Sequence, residues 1–234
     1  VSKAPIYLLP GTLCTEQLFA PLMSQLREHG FHSVVVQFTQ QRSIDEMVEL
    51  AVKKMEKKPG IILGFSMGGI VALALAKKYP ELVAKLVLMS TNYNADDPAK
   101  AAIREQHVAQ AKESSLADVI ERLYLPVYFE RDHVEGNQVV LSMATELGVS
   151  CFEAQVQSLT TRENNLSVLE SIQCPVLIIA GRKDKLCVEE FHLTMHTHCP
   201  VSDLVLVSGC GHFPLLEQPR YTEQSIVSWL VEKR

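Results

Sequence analysis

GIILGFSMGGIVALALA, residues 60–76, decides the fold. The run begins as an apolar stretch of strand character, passes a single serine set among glycines, and continues as a helix pattern apolar nearly all round. A strand that becomes a helix within one residue forces Ser66 into strained backbone. Gly64 and Gly68, two positions either side, must lack bulk because they pass close to each other and to the helix. Such a turn presents a hydroxyl at the sheet edge, above a helix N-terminus whose dipole favours developing negative charge. A phosphate-cradling turn is the rival reading, but neither G-x-G-x-x-G nor a following G-K-[ST] is present.

Outward from this turn the chain alternates. Nearly continuous apolar runs at 5–9 (PIYLL), 33–38 (SVVVQF), 60–65 (GIILGF), 85–90 (KLVLMS), 175–180 (PVLIIA) and 204–207 (LVLV) predict strands buried on both faces. Between them lie helix stripes. Leu18, Leu22 and Leu26 mark one. Ile44, Met47, Val48, Ala51 and Met55 mark another, opened by the capping box of Ser43 and Glu46. A helix is expected around 188–198, and a closing helix carries Ile226, Trp229 and Leu230. This alternation implies a doubly wound, mostly parallel α/β sheet of about six strands with right-handed crossovers. From about 95 to 171 no strand pattern occurs, only helical stretches such as 99–112, 116–125 and 137–147. The expected organisation is a core of 1–94 and 172–234 with a helical cap, 95–171, inserted over one end of the sheet.

With 234 residues, 47% of them hydrophobic, the chain can bury one substantial domain core. Acidic residues outnumber basic ones, 27 to 22, and no basic run goes beyond Lys53/Lys54 and Lys57/Lys58, so a nucleic-acid partner is not expected. The scattered cysteines Cys14, Cys151, Cys174, Cys187, Cys199 and Cys210 form no CxxC pair or zinc spacing and read as reduced, mostly buried thiols. No apolar stretch reads as long enough to span a bilayer. The first residues enter a strand with no basic region or cleavage site ahead of it. A cytoplasmic protein without a membrane partner is the expectation, monomer and homodimer both being compatible.

A serine hydroxyl needs a base with a pKa near neutrality. Of eight histidines, His212 stands out. It lies in Ser208-Gly209-Cys210-Gly211-His212-Phe213-Pro214, directly after the last strand, where a glycine-flanked imidazole can swing over the end of a parallel sheet. His192, His196 and His198 are expected on a solvated helix face, His29 and His32 flank the turn at Gly30, and His107 and His133 belong to the cap. The carboxylate that orients the base is read as Asp184, in Gly181-Arg182-Lys183-Asp184 after strand PVLIIA, with Asp96 or Asp97 in reserve. The chain order is then Ser, Asp, His. Two backbone N–H groups, those of Met67 and Thr12, are the expected oxyanion donors.

Taken together, LLPGT, GFSMGG, GRKD and GCGHFPLLEQP resemble the small bacterial α/β-hydrolase family over nearly the whole core. The resemblance implies that Ser66, Asp184 and His212 form a catalytic triad with Thr12 and Met67 as oxyanion donors. It also implies a cap-walled substrate pocket, with Leu13, Leu125, Tyr128, Phe129, Met143, Phe152 and Phe213 as candidates. Two departures stand out. Pro10-Gly11 replaces the family's usual His-Gly. The segment QFTQQRSIDEM replaces a glycine-containing D-x-x-G-x-G-x-S, which predicts a lower wall and a wider entrance. The implied activity is hydrolysis of a small carboxylic ester through an acyl-enzyme, of carboxylesterase type and similar to acyl-carrier methyl ester esterases, with no cofactor and no metal. A lyase, a lactonase, a carbon–carbon bond hydrolase or a non-hydrolytic small-molecule receptor would use the same residues.

Overall fold

The structure, a computed structural model, describes residues 4–233. Its sheet contains β1 (Ile6–Leu9), β2 (Ser33–Val35), β3 (Gly60–Phe65), β4 (Val83–Met89), β5 (Val176–Gly181) and β6 (Ser202–Val207). All pair in parallel, in the order β2-β1-β3-β4-β5-β6. Successive side chains of a strand point to opposite faces, and the core divides accordingly. Ile6, Leu8, Ile61, Leu63, Val87, Met89, Leu177 and Ile179 point to one side. Tyr7, Leu9, Ile62, Leu86, Leu88, Val176 and Ile178 point to the other. Burial on both faces is why these strands read as unbroken apolar runs.

Helices cover both faces. The first face packs on α1 (Glu16–Glu28), through Leu18, Leu22 and Leu26. The second packs on α2 (Ile44–Lys54), capped by the Ser43 hydroxyl accepting from the Glu46 N–H, and on α3 (Met67–Lys78). Strand β2 is three residues shorter than its apolar run. Past Val36 the chain leaves the sheet, and its polar groups are met by other elements: the Phe38 carbonyl accepts from the Gln155 amide at 2.7 Å and the Gln41 carbonyl from the Ser158 hydroxyl at 2.7 Å.

Between β4 and β5 the chain forms α4 (Pro98–Glu113), α5 (Leu116–Val119), α6 (Leu125–Tyr128) and α7 (Val134–Leu159). The helix expected at 116–125 is interrupted by a π-helical turn, Ile120–Tyr124. Pro126 follows it and has no N–H for the ordinary helical bond to Arg122, so the ladder re-forms around it. The stretch expected at 137–147 is longer than its pattern: it stops at Gly148, whose φ of 75° breaks the helix, and the helix then resumes to Leu159. By length and composition α7 could cross a membrane, which corrects the expectation that no stretch could. Here it packs on the protein: Val140, Met143, Ala144 and Phe152 enter the same core as the first sheet face, so the cap shares that core.

α8 (Leu166–Ser171) packs with the second sheet face through Val168 and Leu169. It is followed by α9 (Glu189–His198), α10 (Pro214–Glu217) and α11 (Pro219–Glu232), the last placing Ile226, Trp229 and Leu230 against the first face.

Candidate active site

The sheet order reverses between β1 and β3, the place where open α/β sheets bind ligands at their C-terminal edge. Thr12 follows β1 and Ser66 follows β3, so the topology alone brings them together. Ser66 has φ 52° and ψ −116°, a left-handed backbone that side chains rarely adopt. The turn is held open by glycines and closed by hydrogen bonds. A Cβ on Gly64 would lie 2.4 Å from the Gly68 carbonyl oxygen, and one on Gly68 only 1.9 Å from that of Leu9. The Ser66 N–H donates to the Met89 carbonyl at 2.9 Å, and the Thr91 hydroxyl donates to the Ser66 carbonyl at 2.7 Å.

Three side chains from distant loops meet above this turn. The Ser66 hydroxyl lies 3.0 Å from Nε2 of His212, and Nδ1 of His212 lies 2.7 Å from Oδ2 of Asp184. The other Asp184 oxygen accepts the N–H groups of Leu186 and Cys187 at 2.8 and 3.0 Å. Burial pushes the Asp184 carboxyl up, but the charge of His212, its hydrogen bond and those two N–H groups outweigh it and hold the carboxyl below its ordinary value. The reserve acids are elsewhere: Asp96 pairs with Arg104 and Arg162, and Asp97 caps α4 by accepting from the Ala99 N–H at 2.9 Å.

The His212 loop is clamped from both sides. Glu217 accepts the Gly211 N–H with both oxygens at 2.9 Å, the Phe213 N–H at 3.2 Å and the Glu130 N–H of the cap at 2.8 Å. The His212 N–H donates to the Tyr128 carbonyl at 2.7 Å, and the Tyr128 ring lies nearly parallel to the imidazole, 18° between planes. Glu217 lies in the motif GCGHFPLLEQP, five residues past His212, and nothing in the linear pattern marks it as the acceptor for this loop. Gly181 permits the close approach of this loop, since a Cβ there would sit 2.0 Å from the Gly211 carbonyl oxygen.

His192 corrects the sequence reading. It is fully buried, whereas His196 and His198 bond to Ser202 and Glu170 at the surface. Its Nε2 accepts the Thr91 N–H at 3.2 Å and its Nδ1 donates to the Val188 carbonyl at 3.2 Å. Both ring nitrogens are thus engaged as a neutral imidazole, and burial holds its pKa down at about 4. His192 fixes Thr91, and Thr91 fixes Ser66.

Among the described residues the N–H groups of Met67 and Thr12 donate to no protein acceptor. Met67 is the first residue of α3, where the helix leaves N–H groups unpaired. The Thr12 loop is set by Gln155, whose Oε1 accepts the neighbouring Leu13 N–H at 2.8 Å. Asp184, Cys187 and His212 offer one donor atom each within 4.8 Å of one another, the one such cluster among the described residues. As a metal set it is poor. Asp184 and His212 already face each other, and burial pushes the Cys187 thiol up to about 12, which keeps it protonated.

A cavity of about 680 Å³ opens on Ser66 and His212. Of the expected lining, Tyr128, Phe152 and Phe213 border it together with Thr12 and Met67. Leu13, Leu125, Phe129 and Met143 do not; they are buried in the core, with Phe129 stacked on Phe213 and Met143 accepting the Thr15 N–H through its sulfur. The apolar character that suggested a pocket wall is the same character that fills a core. The polar lining, Asn92, Asn94, Lys100, Arg104, His107 and Arg162, was not foreseen. No residue of QFTQQRSIDEM borders the cavity; the segment packs on α7 through Gln155, Ser158 and the Arg42–Gln157 contact.

An all-parallel sheet with serine, histidine and carboxylate aligned at its C-terminal edge defines an α/β-hydrolase. The chain belongs to the serine aminopeptidase S33 family of this fold, whose profile matches residues 27–219. It is 27% identical to a pimeloyl-[acyl-carrier protein] methyl ester esterase of Nitrosomonas europaea, over 76% of this chain and 73% of that one. It is 26% identical to a 2-hydroxy-6-oxononadienedioate/2-hydroxy-6-oxononatrienedioate hydrolase of a Pseudomonas species, over 81% and 70%. Among solved structures, a thermophilic esterase from Thermogutta terrifontis superposes with a TM-score of 0.91 at 22% identity, covering 99% of this chain and 90% of that one. The protein is an esterase-like serine hydrolase.

Proposed function

We propose that the protein hydrolyses small carboxylic esters through an acyl-enzyme formed on Ser66. One observation carries this reading: an unbroken hydrogen-bonded line from the Ser66 hydroxyl through His212 to Asp184, at 3.0 and 2.7 Å, opening on a cavity flanked by two unpaired N–H groups. Ser66 Oγ attacks the ester carbonyl carbon while His212 Nε2 takes its proton. Asp184 holds the Nδ1–H tautomer and stabilises the imidazolium. The carbonyl oxygen becomes an oxyanion received by the N–H groups of Met67 and Thr12. His212 then returns the proton to the leaving alkoxide, and water repeats the sequence to release the acid. The pimeloyl ester esterase relative supports an ester substrate. A carbon–carbon bond hydrolase is the second reading, favoured by the oxononadienedioate hydrolase relative.

A panel of p-nitrophenyl esters of graded acyl length, run with the native chain and Ser66→Ala, tests the proposal. Turnover lost in Ser66→Ala, with an acyl adduct on Ser66 in the intact mass, is the expected result. Absence of turnover and of adduct on every ester would refute it and leave the carbon–carbon or receptor readings.

A further inference from the structure

Part of the cavity lining is not built like a pocket for a neutral ester. Lys100, Ile103, Arg104 and His107 all border it. Their spacing of three, four and seven places them on one stripe of α4, where a helix packed on protein would be apolar. Arg162, just past α7, joins them, as does Lys185. Asp97 is the one carboxylate among the described lining residues, and its Oδ1 already caps α4.

Behind this wall Asp96 receives both arginines. Arg162 Nη2 lies 2.9 Å from Asp96 Oδ1, and Arg104 Nη2 meets Oδ2. The three side chains are 7% (Asp96), 17% (Arg104) and 11% (Arg162) exposed, so the cluster is nearly desolvated. Asp96 and the nearby Asp97 balance the two guanidiniums in number, and Lys100 and Lys185 then leave the lining with an excess of positive charge. Each guanidinium has five N–H donors and Asp96 supplies two acceptor atoms. The Nε of each arginine is buried without a partner. A clamp joining the β4–α4 loop to the end of α7 would need one arginine; here two border the cavity, and among the described residues neither guanidinium has an ion-pair partner other than Asp96. Two guanidiniums fixed from behind, with planar donor forks to spare, match a carboxylate.

We propose that Arg104 and Arg162, held by Asp96, form a carboxylate-binding subsite, so that the favoured ester carries a second, ionised carboxyl group remote from the scissile bond. This rests on the ester-hydrolase reading and adds its substrate class. Lys100 supplies long-range attraction. His107 supplies none: burial lowers its pKa, and its Nδ1 bonds the Tyr124 hydroxyl at 2.9 Å.

The test compares monomethyl with dimethyl esters of straight-chain dicarboxylic acids from succinate to suberate, which differ by one charge at each length. The native chain should favour the half-ester at least tenfold in kcat/KM at its best length, chiefly through KM. Arg104→Gln and Arg162→Gln should each cut that ratio about tenfold or more. A ratio near one at every length, or a ratio unchanged in both variants, would overturn the subsite. Should a variant fail to fold, the native chain still decides: the free diacid of the best length must inhibit competitively and lose potency as salt rises, and the dimethyl ester's own hydrolysis must show no such salt dependence. If no ester at all is turned over, the ester-hydrolase reading fails separately. The subsite is then judged by whether the diacid raises the thermal midpoint of Ser66→Ala and fails to raise that of Ser66→Ala/Arg162→Gln.

Discussion

Oε1 of Gln155 accepts the backbone N–H of Leu13 at 2.8 Å, joining residues 142 positions apart. Its Nε2 donates to the Phe38 carbonyl at 2.7 Å, and the side chain is fully buried. One amide of the cap therefore fixes both the loop that carries Thr12 and the loop that leaves β2. Gln155→Leu would strand a buried donor and a buried acceptor, costing about 3 kcal/mol of stability. It should also lower kcat by roughly tenfold to a hundredfold, since a displaced Thr12 N–H weakens oxyanion binding. Urea denaturation and steady-state kinetics check the two parts, and an unchanged kcat would show that Thr12 is not held this way.

Glu217 does for the base what Gln155 does for the oxyanion loop. It receives N–H groups on both sides of His212 and one from Glu130. Glu217→Ala should cost about 3 kcal/mol and at least tenfold in kcat, whereas Glu217→Gln, which keeps one acceptor oxygen, should lose about half as much stability. Equal effects of the two substitutions would argue against the clamp.

Strain at Ser66 separates stability from activity. Its φ of 52° is one that glycine adopts freely. Ser66→Gly and Ser66→Ala should both be inactive, yet Ser66→Gly should be more stable than Ser66→Ala by about 1 kcal/mol. Thermal unfolding of the two variants side by side measures the difference.

Asp184→Asn tests the tautomer. Oδ1 is already committed to the N–H groups of Leu186 and Cys187, so the asparagine carbonyl would take that place and its NH2 would face His212. The imidazole would then carry its proton on Nε2 and could not accept one from Ser66. A loss of about 10⁴ in kcat is expected at neutral pH, with KM nearly unchanged.

His192 gives the fold a pH dependence. It is neutral when folded, with a pKa of about 4 against an ordinary 6.5. Between those values the unfolded chain binds the proton and the folded chain does not, so stability rises with pH in that window. Falling from pH 7 to pH 4 should cost about 3 kcal/mol from this residue. His192→Gln should flatten that part of the stability curve. The Asp184 carboxyl, held low, contributes stability above its ordinary range that is lost only as pH falls further.

The strands, the nucleophile turn and the order Ser66, Asp184, His212 were readable from sequence because each has a local cause. Apolar runs mark doubly buried strands, and glycines mark the places where backbone meets backbone, at Gly64 and Gly68. What the chain's own order did not reveal was decided by contacts across long separations. Phe152 and Met143 are equally apolar, and only packing puts the first at the cavity and the second in the core. His192 and His196 share a helix, yet one is sealed under Thr91 and the other faces water. Gln155, Glu217 and the Arg104–Asp96–Arg162 cluster draw their meaning from partners that a linear pattern does not bring near. Local propensity is written along the chain, whereas hydrogen-bond satisfaction and charge balance in a buried site exist only once the chain has closed on itself.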